Sequence, residues 1–223
     1  MKFIEYADKT VLARALAAAL TAEISDVLEQ RSRAFFVVPG GTTPGPVFDL
    51  LSQTDLDWAR VEICLSDERW VPEDSPRSNT RLLRERLLVG AAKDATLVSL
   101  YDGSDQPEAA LENLGTQVDA HLPADVLLLG MGGDMHTASL FPGADGLAAA
   151  LSPDASTLVA MHPEDQEEPR ISFSARVLNS ASKKHLMITG DEKRSALERA
   201  QNLEPMQAPI AAVLKDMIVH WTP

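Results

Sequence analysis

Short apolar runs, each the length of one strand, recur along this chain and end in polar or glycine-bearing turns. Residues 34–38 read AFFVV, residues 61–65 VEICL, residues 126–129 VLLL and residues 185–189 HLMIT. Runs of this kind, bounded by turn formers, mark strands buried on both faces. A strand without a wet face needs cover above and below it. Helical spacing between the runs supplies that cover. Strand and helix in alternation predict a mostly parallel sheet with helices on both faces.

The helical spacing is plain in several segments. Residues 7–31 bring Val11, Leu12, Ala15, Leu16, Ala19, Leu20, Ile24, Val27 and Leu28 near one face. Thr43 stands as a cap with Pro44 at the first helical position, ahead of Val47, Leu50 and Leu51. Ser78 or Asn79 opens a helix through Leu82, Leu83, Leu87 and Leu88, and another covers residues 107–120. Shorter strands are expected at 96–100, 157–161, 170–173 and 217–221, a helical turn at 177–181 and a last helix at 210–214. Residues 162–169 read as an acidic, exposed loop. Gly190 and Asp191 start a helix with Lys193 in its first turn. The predicted class is α/β: a three-layer α/β/α arrangement around a mostly parallel, Rossmann-like sheet.

The 223 residues are 45% hydrophobic, which suits one α/β domain over residues 1–223. There is no internal repeat, low-complexity tract or linker. Residues 1–7 lack the apolar segment of a signal peptide. The Ala/Leu stretch at 11–20 carries Arg14 and is too short to span a bilayer. A soluble, cytoplasmic protein is expected. The single cysteine, Cys64, sits in an apolar run and reads as a buried, inert thiol. A net charge of −13 argues against nucleic acid and anionic membrane, which demand basic surfaces. It leaves room for an anionic metabolite held by a few local cations and backbone N–H groups. Oligomeric state is left open, a monomer included.

Residues 125–143, DVLLLGMGGDMHTASLFPG, concentrate the chemistry. A buried strand delivers Gly130, Gly132 and Gly133, then Asp134 and His136. Glycines let a backbone turn sharply and let a ligand approach closely. In open α/β sheets, ligands bind outside the carboxyl ends of the strands, which is where this turn falls. On its own residues, His136 reads equally as a structural group or as a base. Zinc in hydrolases usually takes three protein ligands; Asp134 and His136 offer two, and His121, His162, His185 and His220 show no ligand spacing around them. No metal or cofactor is expected. A GxSxG nucleophile elbow is absent, which disfavours a serine hydrolase.

The stretch GMGGDMHTASLFPG resembles the signature of the 6-phosphogluconolactonases, members of the glucosamine-6-phosphate isomerase/6-phosphogluconolactonase family. Four further segments match that family in order. Gly40-Gly41-Thr42-Thr43-Pro44 resembles its phosphate loop, with Thr42 where Ser is common. Asp67-Glu68-Arg69-Trp70-Val71-Pro72 and the following Ser78-Asn79 resemble its D-E-R-x-V-P and S-N segments. Arg170-Ile171-Ser172 resembles its R-I-T, and Thr189-Gly190-Asp191-Glu192-Lys193 its T-G-x-x-K. Between Asp and His the family usually has Gly. Here it is Met135, which tolerates positive φ poorly, so a different local turn is expected.

The resemblance implies hydrolysis of 6-phospho-D-glucono-1,5-lactone to 6-phosphogluconate, in the oxidative pentose phosphate pathway. It implies direct hydrolysis, with neutral His136 taking a proton from the attacking water. Arg69, Arg77 or N–H groups of the glycine turn, Gly132 included, then become candidates for substrate oxygens and the oxyanion. Asp67 is left with three uses: placing water, binding a sugar hydroxyl or orienting a cation. Without the resemblance, residues 67–69 read as solvated charges, with Arg69 paired to a carboxylate. Arg170 and Lys193 are implied to close on the sugar phosphate with the Gly40–Thr43 loop, at the far end of the site from His136. Two other functions stay in view: an amino-sugar-phosphate isomerase or deaminase, and a non-enzymatic sugar-phosphate sensor.

Overall fold

The structure is a computed structural model describing residues 1–164 and 166–223. Among the described residues, ten strands and seven α-helices follow one another. β1 (Lys2–Glu5) precedes α1 (Lys9–Gln30), β2 (Ala34–Val38) and α2 (Gly45–Leu51). β3 (Val61–Leu65) is followed by β4 (Asp67–Arg69), α3 (Asn79–Arg86), β5 (Thr96–Val98) and α4 (Pro107–Asp119). β6 (Val126–Gly130), α5 (Leu147–Leu151), β7 (Leu158–Met161), β8 (Arg170–Phe173) and α6 (Ala175–Ser180) come next. β9 (Lys183–Thr189), α7 (Asp191–Ala200) and β10 (Ile218–Thr222) complete the order.

Seven strands form one sheet in the order β1-β10-β9-β6-β2-β3-β5, and every pairing in it is parallel. The predicted α/β architecture is therefore the observed one. All five residues of β2 and of β3 are buried, as a continuous apolar run demands of β2; in β3 the carboxylate of Glu62 is kept inside by Arg33 and His121. Phe36, Val126, Leu128 and Ile188 are among the residues with no exposed surface. Burial pushes the Cys64 thiol up, which suits an inert interior thiol. No helix among the described residues is long and apolar enough to cross a membrane.

α1 begins where Asp8 accepts hydrogen bonds from the N–H groups of Thr10 and Val11, at 2.7 and 2.8 Å. Its buried face uses Leu12, Leu16, Leu20, Ile24 and Leu28 with Ala13 and Ala17, while Val11 is exposed. The small alanines let the helix lie close against α2 and β10.

Several expectations need correction. Thr43 does not cap α2; the helix starts one residue after Pro44, with Pro46 in its first turn. The segment at 210–214 is a 3-10 helix, Pro209–Val213. β1 and α5 had no counterpart in the sequence reading. Residues Asp67–Arg69 are not simply solvated charges: Asp67 and Glu68 are buried. They form β4 at the edge of a second, antiparallel sheet of order β4-β8-β7. Asp67 pairs with Ser172 and Arg69 with Arg170, so two arginines face each other at one end of the β4–β8 pair.

Candidate active site

β2 has β3 on one side and β6 on the other. The chain runs outward from β2 through β3 to β5, then returns to β6. At such a switch point the turns leaving two neighbouring strands part and leave a crevice. A cavity of about 280 Å3 opens there. Gly40, Gly41 and Thr43 reach it from the turn after β2, and Gly132 and His136 from the turn after β6. Asp67 and Arg69 enter from β4, Arg170 from β8 and Lys193 from α7. Thr42, Asp134 and Arg77 stand outside the lining. Asn79, Ser139, Phe141 and Gln166 belong to the wall and were not foreseen.

The turn after β6 is closed by its own backbone. The Gly132 N–H donates to the carbonyl of His136 at 3.0 Å, and the Met135 N–H to the carbonyl of Gly132 at 3.1 Å. Met135 takes φ of 70°, so methionine adopts the left-handed turn that glycine usually fills. Its side chain is half-buried against the core, and its carbonyl accepts from the Ile210 N–H at 3.1 Å. Those contacts hold a conformation that the residue alone disfavours. The hydroxyl of Thr137 donates to the carbonyl of Gly130 at 2.9 Å, tying the turn back to the strand end.

His136 is fixed from three sides. Its Nδ1 lies 2.6 Å from Oδ1 of Asp134, and its ring packs on Phe141 at 4.3 Å between centroids. A Cβ on residue 132 would strike the imidazole and the Asp134 carboxylate, so only glycine lets the pair sit this close to the backbone. Burial opposes ionisation of Asp134, but the hydrogen bond and charge of His136 outweigh it and hold the carboxyl below its ordinary range. In the neutral ring, a charged Asp134 at Nδ1 selects the tautomer protonated there, which leaves the lone pair on Nε2.

The segment after β3 is locked by a buried acid. Glu68 accepts from the N–H groups of Arg69, Asn79 and Thr80 at 2.7, 2.8 and 2.7 Å, and from the Ser78 hydroxyl at 3.1 Å. A carboxylate at the N-terminus of α3 satisfies free helix donors. Burial still pushes its pKa up. The bracket sets Asn79, whose amide donates to the Asp67 carbonyl at 3.1 Å and lies flat against Gly40. A side chain at position 40 would occupy that amide's place. Asp67 itself accepts from the hydroxyls of Ser139 at 2.6 Å and Ser66 at 3.1 Å.

Three cations border the cavity. Arg170 is 2% exposed, and its Nη2 donates to Gln166 at 2.9 Å. Among the described residues its Nε and Nη1, both sealed from solvent, have no hydrogen-bond partner, and Nη1 lies 3.8 Å from Oε2 of Glu168. Burial lowers its pKa, and the neighbouring Arg69 lowers it further. Arg69 donates to the carbonyl of Arg77, and neither Arg69 nor Lys193 forms an ion pair among the described residues. The N–H groups of Gly41, Thr42 and Thr43 take no protein acceptor among the described residues. Gly41 is half-buried and Thr42 and Thr43 are exposed, so these N–H groups are open to a ligand. Such donors beside three cations fit an anion, by charge-assisted hydrogen bonds. Arg77 instead forks onto Glu168 at the rim. Among the described residues, no three His, Cys, Asp or Glu side chains gather as metal ligands.

A family profile described as glucosamine-6-phosphate isomerases/6-phosphogluconolactonase matches residues 7–221. The chain belongs to this family. A family relative named 6-phosphogluconolactonase, from Pseudomonas aeruginosa, is 38% identical over 219 residues, covering 95% of this chain and 90% of that protein. One of the same name from Rhizobium meliloti is 36% identical over 225 residues, covering 98% and 97%. A solved 6-phosphogluconolactonase from Shewanella baltica superposes with a TM-score of 0.96 at 33% identity, covering 100% of this chain and 98% of that one. The family's fold is thus shared from end to end.

Proposed function

We propose that this enzyme hydrolyses 6-phospho-D-glucono-1,5-lactone to 6-phosphogluconate, the lactonase step of the oxidative pentose phosphate pathway. The Asp134–His136 pair at the mouth of β6 carries the reading. Neutral His136 takes a proton through Nε2 from a water that attacks the lactone carbonyl. The tetrahedral oxyanion accepts from Arg69 and from N–H groups of the glycine turn. The C–O bond to the ring oxygen then breaks, and the imidazolium returns the proton to that oxygen. No covalent intermediate, metal or cofactor is required. Asp67, held by Ser139 and Ser66, is aimed at substrate hydroxyls or water.

The phosphate is assigned to the N–H groups of Gly40, Gly41, Thr42 and Thr43, with Arg170 and Lys193. The place of Arg170 and Lys193 in the cavity wall, with the Gly40–Thr43 turn, supports this assignment. One domain over residues 1–223, acting in the cytoplasm on a small sugar phosphate, completes the proposal. The test is lactone hydrolysis by purified protein, with spontaneous hydrolysis subtracted. Acceleration of the phosphorylated lactone is the expected result. Ammonia released from glucosamine 6-phosphate without lactonase activity would point to the deaminase branch of the family. Binding of 6-phosphogluconate with neither activity would mean a sensor.

A further inference from the structure

Arg77 and Glu168 lie 91 residues apart in sequence and meet at the rim of the cavity. Both carboxylate oxygens are engaged. Arg77 Nη2 donates to Oε2 at 2.9 Å, and Arg77 Nε contacts Oε1. The same Oε2 lies 3.8 Å from Nη1 of Arg170. That separation is beyond a hydrogen bond, yet a side-chain rotation would close it. Glu168 cannot drift away from Arg170, because the carbonyl of Pro169 accepts from Trp70 N–H at 2.8 Å and β8 begins at the next residue.

The two arginines differ in what they lack. The Arg77 side chain is 46% exposed and meets Glu168 through Nε and Nη2. Arg170 is buried and leaves Nε and Nη1 without hydrogen-bond partners among the described residues. An unpaired buried donor is costly, and Glu168, 3.8 Å from Nη1, is an anion within reach of it. A tethered carboxylate acts at a high effective concentration. It would compete with any ligand anion for Arg170. Surface ion pairs add little stability, so the worth of Arg77–Glu168 lies in where it puts the carboxylate.

We propose that Arg77 is a positioning residue that holds Glu168 off Arg170 and so keeps that guanidinium, at the cavity wall, available to the substrate phosphate. The pair is also neutral as a unit, so it adds no net repulsion against a dianion. This inference rests on the assignment of Arg170 to the phosphate.

The experiment measures kcat and KM for the phosphorylated lactone, and the inhibition constant of inorganic phosphate, in Arg77→Ala, Glu168→Gln and the double variant. Arg77→Ala should raise both KM and the inhibition constant about tenfold with kcat unchanged. Glu168→Gln should stay within about threefold of the parent, and the double variant should return to that range. Arg77→Lys, which holds one oxygen rather than two, should fall between. A double variant as weak as Arg77→Ala would show that Arg77 touches the ligand itself, and would overturn the proposal alone. An unchanged inhibition constant in Arg170→Gln would overturn the phosphate assignment and the proposal with it.

Discussion

Oδ1 of Asp134 lies 2.6 Å from Nδ1 of His136 and 3.2 Å from the backbone nitrogen of the same residue. One carboxylate oxygen therefore sets both the tautomer of the ring and the path of the turn that carries it. His136→Asn should leave binding of 6-phosphogluconate within a few-fold and lower kcat by about 10²-fold or more. Asp134→Asn should lower kcat by a comparable factor, because an amide no longer selects the Nδ1–H form. Steady-state rates corrected for spontaneous hydrolysis measure both. A near-parental kcat in His136→Asn would remove this residue from the mechanism.

Gly132 lies where a Cβ would overlap the His136 ring and the Asp134 carboxylate. Gly132→Ala should displace the imidazole rather than unfold the chain. The expected result is kcat lowered by roughly 10²-fold, as for a catalytic group moved by about 1 Å, with a small change in Tm. Thermal melts and rates on the same preparation decide it. Full activity in this variant would mean that the turn relaxes without cost.

Lys193 faces the cavity from the first turn of α7, with no ion pair among the described residues. Charged hydrogen bonds to a phosphate are worth about 1.5–3 kcal/mol each. Lys193→Ala and Arg170→Ala should therefore weaken the phosphorylated substrate by roughly ten- to a hundredfold each. Hydrolysis of unphosphorylated gluconolactone should barely change. Equal losses on both lactones would mean that these side chains serve structure or catalysis, not the phosphate.

His220 is buried between the Tyr6 hydroxyl at 2.8 Å and Nδ1 of His185 at 2.9 Å, and His185 in turn meets Glu23 at 2.8 Å. Burial, then the nearby His185 and Lys2, push His220 down from 6.5 to about 3. The folded protein thus holds this ring neutral where the unfolded chain would protonate it. Its contribution to stability is full above pH 6.5 and is lost progressively as pH falls toward 3. Urea denaturation at stepped pH should show that loss, and His220→Phe should flatten the slope below pH 6.5. An unchanged slope in the variant would assign the acid sensitivity to other groups.

Much of the fold was legible from the chain because its signals are local. β2 and β3 fall on the apolar runs at 34–38 and 61–65, since a continuous apolar segment has no stable place except inside. The crevice was legible too, because a glycine turn after a buried parallel strand falls at the carboxyl ends of the strands. Residue type and spacing alone left His136 equally a structural group or a base, and only the resemblance pointed to Asp134, His136 and Gly132 as site residues.

What the tertiary structure decided concerns groups that can be satisfied in many ways. Asp-Glu-Arg at 67–69 carries no strand signal, and only pairing with β8 makes it one. Lys2–Glu5 is mostly exposed and gains its order from β10. Met135 adopts φ of 70° because surrounding contacts outweigh its own preference. Arg77 looked like a ligand for substrate, yet its guanidinium lies on Glu168. An apolar side chain has one favourable destination, the interior, and the sequence by itself names it. A charged or polar side chain has many partners of nearly equal worth, and only the fold determines which of them comes within reach.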